Sequence, residues 1–216
     1  MPTPRAVVIA CHGGRPLGRQ RVGPWYPPVW WNQLLVTGLR PRLQAYGIAI
    51  APVVNRVRGW NDPELPALDD ARRTITAVRR RWPSVPVVLL GYSMGGRVVG
   101  RIAGESGAVG AVALAPWWPD RADGQGLVGV PTVIVQGGAD VVTRSIDSRV
   151  VAERLRATGT PVVRHLVTGA GHLMAWRRPT WERLAREAIL GLVGVSPYAN
   201  RLDALRAGLD PLDHRC

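Results

Sequence analysis

Six short apolar runs punctuate the chain: Ala6–Ala10, Ile48–Val54, Pro86–Leu90, Val109–Ala115, Thr132–Val135 and Val162–Val167. Most are continuously apolar and rich in valine instead of alternating with polar residues. Strands read this way when helices cover both faces of their sheet, which restricts them to a largely parallel arrangement. Val162–Val167 is the exception, because Arg164 and His165 interrupt it. A strand at the edge of a sheet tolerates such polarity, and that position is expected for it.

The stretches between the runs carry helical periodicity. Leu68, Ala71, Ile75, Val78 and Trp82 are spaced three or four apart and form one apolar stripe. Asp69 and Asp70 fall in its first turn and Arg79–Arg81 in its last, as the helix dipole favours. Trp181, Leu184, Ala185, Ala188, Ile189 and Leu192 repeat the pattern, and Val98, Val99, Ile102 and Val150, Val151, Leu155 carry shorter versions. Trp31, Leu34, Leu35, Leu39, Leu43 and Tyr46 also fit, with Pro41 expected to kink that helix or start a second one. Repeated strand–helix–strand order predicts an α/β fold: a doubly wound, mainly parallel sheet of about six strands flanked by helices, joined by right-handed crossovers. The 216 residues suit one domain over residues 1–195. A tail over 196–216 follows, with a short helix expected near Asn200–Leu209; it docks on the body, mediates dimerisation or stays loose.

Composition limits the function classes. The net charge is +13, which raises nucleic-acid binding. Yet the chain has no lysine, and its 28 basic residues are all arginine, scattered beside abundant Ala, Gly, Val and Pro. That pattern is the mark of GC-rich coding, so nucleic acid is not the expected main partner. The apolar run before His12-Gly13-Gly14 is too short for a secretory leader, and no stretch reaches the roughly 20 apolar residues that span a bilayer. The expected protein is soluble and cytoplasmic, with no membrane insertion. Cys11 and Cys216 do not form a disulfide framework, and Cys11 reads as a small buried hydrophobe.

Ligands of such sheets bind beyond the carboxyl ends of the strands, so the residues there are the candidates for chemistry. After Pro86–Leu90 comes Gly91-Tyr92-Ser93-Met94-Gly95-Gly96. This G-x-S-x-G pattern between a strand and a helix is that of a nucleophile elbow. The turn is so tight that side chains two residues either side of the serine collide, hence Gly91 and Gly95. After Thr132–Val135 comes Asp140, and after Val162–Val167 comes His172. The order Ser, Asp, His is that described for α/β-hydrolases. His165 within a strand and His214 in the tail are poor general bases. The loop Cys11-His12-Gly13-Gly14 follows the first strand. A serine nucleophile needs two N–H donors for the oxyanion; Met94 and Gly14 are the candidates, with His12 supporting the loop.

Over residues 5 to about 192 the chain resembles the α/β-hydrolase superfamily, on His12-Gly13-Gly14, Gly91–Gly96, Gly137–Asp140 and Gly171-His172. The resemblance implies a triad in which His172 takes the proton of Ser93 and Asp140 orients the imidazolium. It implies attack on an acyl carbonyl and an acyl-enzyme hydrolysed by water. The first antiparallel strands of the fuller family pattern are missing, and Ala115–Pro131 leaves room only for a loop where lidded members insert a cap domain. The chain looks most like small esterases, thioesterases and dienelactone-hydrolase-like proteins.

Nine tryptophans and no phenylalanine offer an aromatic wall. Trp117 and Trp118 follow a strand directly, and Trp25 follows the oxyanion loop, so these are candidate substrate-binding residues. Arg15 in the same loop is a candidate for a substrate carboxylate or phosphate. No metal-ligand spacing and no dinucleotide fingerprint occurs, so no metal and no cofactor is expected. The expected activity is hydrolysis of a small carboxylic ester or thioester. The alternatives are acyl transfer or perhydrolysis at the same site, and a non-catalytic basic binding protein on the same scaffold. The sequence specifies no oligomeric state.

Overall fold

The computed structural model describes residues 2–195 and 213–216. Its strands are β1 (Ala6–Cys11), β2 (Ile48–Pro52), β3 (Val87–Tyr92), β4 (Gly110–Leu114), β5 (Thr132–Gly137), β6 (Val162–Val167) and β7 (Asp213–Arg215). All pair in parallel, in the order β2-β1-β3-β4-β5-β6-β7. The helices are α1 (Pro27–Gln44), α2 (Pro66–Arg81), α3 (Met94–Ile102), α4 (Ser145–Ala157) and α5 (Arg178–Leu192).

Continuous apolarity in the strands has the expected cause. Successive side chains of a strand point to opposite faces. Ala6, Val8 and Ala10 therefore enter one core with Val36, Leu39 and Leu43 of α1 and Trp181, Leu184 and Ile189 of α5. Val7, Ile9 and Cys11 enter a second core with Leu68, Ile75 and Val78 of α2, Val98 and Ile102 of α3, and Val151 and Leu155 of α4. Cys11 is fully buried, and burial pushes its thiol up to about 12, so it packs as a hydrophobe.

The sheet differs from the sequence expectation at one end. Among the described residues it has seven strands instead of about six, because Asp213–Arg215 in the tail pair with β6. The Cys216 carbonyl accepts from Thr168 N–H at 2.8 Å, and Cys216 N–H donates to the Leu166 carbonyl at 3.0 Å. The helix expected near Asn200–Leu209 lies outside the described residues. β6 is thus interior, not an edge, and its polarity has another origin. Buried Arg164 reaches under α4, where its guanidinium donates to the Ser145 carbonyl at 2.9 Å and to Ser148 Oγ at 3.2 Å. Charge-assisted bonds of this kind offset the cost of burying the cation. At Pro41 α1 runs on as one helix, so of the two outcomes expected there no second helix starts. Arg42 Nη1 donates to the Gly38 carbonyl one turn back. Among the described residues, no helix is long and apolar enough to cross a membrane.

Leu89 is fully buried at the centre of β3. Leu89→Ala is expected to lower the free energy of unfolding by about 3 kcal/mol, read from urea denaturation.

Candidate active site

The end of β3 turns directly into α3 at Ser93. Its backbone has φ 56° and ψ −118°, a conformation that non-glycine residues rarely adopt. Two glycines permit it. A Cβ on Gly91 would collide with the Gly95 carbonyl, and one on Gly95 would collide with the Cys11 carbonyl. Ser93 N–H donates to the Leu114 carbonyl of β4 at 3.0 Å, and the Ser93 carbonyl accepts from Trp117 N–H at 3.1 Å. The serine is thereby fixed against β4 and the loop that follows it, at the carboxyl edge of the sheet.

Three loops converge there. His172, after β6, places Nε2 3.1 Å from Ser93 Oγ. Its Nδ1 lies 2.9 Å from Oδ2 of Asp140, after β5. Nδ1–H donating to the carboxylate leaves Nε2 with a free lone pair facing the hydroxyl. Asp140 is itself saturated. Its Oδ1 accepts from Val142 N–H and Thr143 N–H, each at 2.9 Å. Its Oδ2 also accepts from the Thr143 hydroxyl at 2.7 Å and from Gln136 Nε2 at 3.0 Å. Burial would push the Asp140 carboxyl up, but the bonds from His172 and Thr143 outweigh it and hold the group below the ordinary carboxylate range. Tyr92 closes the underside: its hydroxyl donates to the His172 carbonyl at 3.2 Å, and the two rings lie 5.3 Å apart.

The loop after β1 forms the remaining wall. A Cβ on Gly13 would stand 3.3 Å from Ser93 Cβ, so this loop passes directly beside the serine. Gly14 packs against the Met94 side chain, which a Cβ there would displace. His12 is buried; its Nδ1–H donates to the Gly13 carbonyl at 2.6 Å, and its Nε2 accepts from Asn55 N–H at 3.1 Å. That pairing defines the tautomer, and burial pulls its pKa below the ordinary histidine value. His12 is thus a neutral tie between two loops.

No family model matches the chain, and no curated protein matches it. Solved structures do. An α/β serine hydrolase homologue from Coxiella burnetii superposes with a TM-score of 0.66 at 20% identity, over 84% of each chain. A serine hydrolase without a lid from Xanthomonas campestris gives 0.68 at 21%, over 91% of this chain and 86% of its own. Acyl-protein thioesterase 2 from Zea mays gives 0.61 at 18%, over 89% and 96%. The chain has the α/β-hydrolase fold. It is a minimal version of that fold. Residues 115–131, between β4 and β5, hold a loop and one helical turn at Gln125–Leu127, with no cap domain.

Within this fold one of the candidate aromatic residues is placed differently from the expectation. Trp118 is buried in the core beside α3, and its Nε1–H donates to the Gly96 carbonyl at 3.1 Å. It does not border the cleft. The Trp117 ring faces the Arg97 guanidinium at 4.6 Å, and Trp60 faces that group at 4.4 Å. The reason is Arg97, which sits one helical turn after Ser93 and is almost fully buried. Two aromatic faces, with Asp123 at 2.9 Å and Asp120, neutralise it. Arg15 and Trp25 are solvent-exposed on the loop after β1, and a cleft of about 780 Å³ opens beside that loop between Arg19, Arg21, Asn55 and Arg56. Thr143 and Gln136 were invisible as site residues in the sequence, since neither belongs to a motif. The only available signal was their proximity to Asp140 in the chain.

Two outcomes follow from the backbone and the carboxylate. Ser93→Gly removes the strain of a positive φ, and is expected to raise the unfolding free energy by about 1 kcal/mol, measured by chemical denaturation. The lowered Asp140 pKa contributes stability that is present above the unfolded carboxyl's value of 3.8 and is lost as pH falls through the lower folded value. Asp140→Asn is therefore expected to flatten the acid limb of a plot of stability against pH.

Proposed function

We propose that the protein is a serine hydrolase that cleaves a carboxylic ester or thioester through an acyl-enzyme on Ser93. The observation that carries this reading is the continuous chain from Ser93 Oγ to His172 Nε2 at 3.1 Å, and from His172 Nδ1 to Asp140 at 2.9 Å. These are hydrogen-bond distances for a nucleophile, its base and the group orienting that base. Serine hydrolases, esterases and an acyl-protein thioesterase among the proteins of similar fold add support.

In this mechanism His172 Nε2 takes the proton as Ser93 Oγ bonds to the acyl carbon. Negative charge moves to the former carbonyl oxygen, where Met94 N–H at the start of α3 and Gly14 N–H serve as donors. The tetrahedral species collapses, and the bond to the leaving oxygen or sulfur breaks. The imidazolium returns its proton to that atom. Water then repeats the sequence on the acyl-enzyme, with His172 again accepting a proton, and releases the acid and free Ser93. Asp140 stays ionised throughout, because its five hydrogen bonds favour the charged form.

Short-chain p-nitrophenyl esters and acyl thioesters are the substrates for the test. Ser93→Ala is expected to abolish turnover, and Asp140→Asn to lower kcat by about 10⁴-fold, the size of the effect when the base loses its orienting carboxylate. A fluorophosphonate is expected to label Ser93, seen as a mass increase on that peptide. Undiminished turnover in Ser93→Ala, or no labelling of folded protein, overturns the assignment. Adding an alcohol or peroxide acceptor separates hydrolysis from acyl transfer by the product formed.

A further inference from the structure

The rim of the site is built from three loops, those after β1, β5 and β6. Each exposes large apolar side chains. Trp25 is 88% exposed, Val141 91% and Trp176 97%, and Val142 and Leu173 are also exposed. Scattered exposed hydrophobes are ordinary, but these five lie on the same three loops that carry Gly14, Asp140 and His172. Val141 directly follows Asp140, and Leu173 directly follows His172. The two tryptophans share one end of the molecule for a topological reason. Arg178 at the start of α5 donates to the Leu34 carbonyl of α1 at 3.2 Å, and Arg42 further along α1 pairs with Glu182 at 3.6 Å. The two helices therefore run parallel. Trp25 just ahead of α1 and Trp176 just ahead of α5 both stand at the carboxyl edge of the sheet.

The charge on these loops is one-sided. Residues 12–26, 138–144 and 168–177 contain Arg15, Arg19, Arg21, Arg144 and Arg177, and no acid except buried Asp140. Arg19 and Arg144 pair with Glu64 and Asp147. Arg15, Arg21 and Arg177 have no acidic partner among the described residues. Tryptophan and exposed aliphatic groups on loops that also carry arginine suit the boundary between acyl chains and anionic headgroups. Indole rings partition to that depth, and guanidinium groups meet phosphate there.

We propose that this rim docks the protein on an anionic lipid surface, with the mouth of the Ser93 site facing the membrane. The docking stands on the rim alone. Its consequence, that amphiphilic esters reach the site from the lipid phase, rests on the hydrolase reading above.

The test is co-sedimentation of the full chain with vesicles, one set of phosphatidylcholine alone and one of phosphatidylcholine mixed with phosphatidylglycerol. Sedimentation with the mixed vesicles only is expected. Trp25→Ala combined with Trp176→Ala is expected to weaken that binding at least tenfold, while circular dichroism matches the parent because both side chains are solvated. No sedimentation with the anionic vesicles overturns the proposal. Undiminished binding by the double variant also overturns it, since attraction then comes from the overall +13 charge and not from the rim. A self-association that the double variant abolishes, with no vesicle binding, assigns the rim to a second copy of the chain instead. The same assay on Ser93→Ala separates the two readings, because loss of catalysis leaves docking unchanged.

Discussion

The close approach of backbone to backbone at the turn from β3 to α3 is the constraint on which the rest of the site depends. Gly91 lies against the Gly95 carbonyl, and Gly95 against the Cys11 carbonyl, at distances no side chain would tolerate. That contact seats α3 on the ends of β1 and β3 together. It forces Ser93 into a positive φ and lifts its hydroxyl out of the sheet. It also aligns the first turn of α3 with the loop after β1, because Cys11 and Gly91 are partners in the parallel register. The strain of order 1–3 kcal/mol at such a residue is sustained by a sheet buried on both faces.

Electrostatics of the site follow from the same architecture. A buried carboxylate is costly unless every lone pair is used. Asp140 meets that requirement within its own turn, through Val142, Thr143 and Gln136, before His172 arrives. Its orientation is therefore set independently of the imidazole it holds. Arg97 follows the same rule on the opposite side of α3, where carboxylates and indole faces surround a cation that solvent barely reaches. His12 needs no ion partner, because burial keeps it neutral and both ring nitrogens are bonded.

Much of this was legible in the sequence because it depends on local spacing. Valine-rich runs reported strands covered on both faces, and both cores contain them. The glycines flanking Ser93 reported a tight turn. The residues that were misjudged depend on partners distant in the chain. β6 looked like an edge strand because Arg164 and His165 are polar, yet Arg164 is polar because α4 supplies acceptors to it. Trp118 looked like a cleft residue from its place after β4, but it is buried and a carbonyl of α3 holds its indole N–H.

By itself the sequence determined the class of sheet, the position of the elbow, and which serine, acid and histidine stand at strand ends. These are matters of periodicity, glycine placement and chain order, each read within a few residues. Only the tertiary structure decided that residues 213–215 add a seventh strand to the sheet, that the imidazole lies 3.1 Å from the hydroxyl and 2.9 Å from the carboxylate, and that loops carrying exposed apolar groups and arginines meet at one edge of the sheet. The reason is that such distances arise from the packing of helices on both faces of the sheet. That packing is a property of the whole fold and is not encoded at any one position.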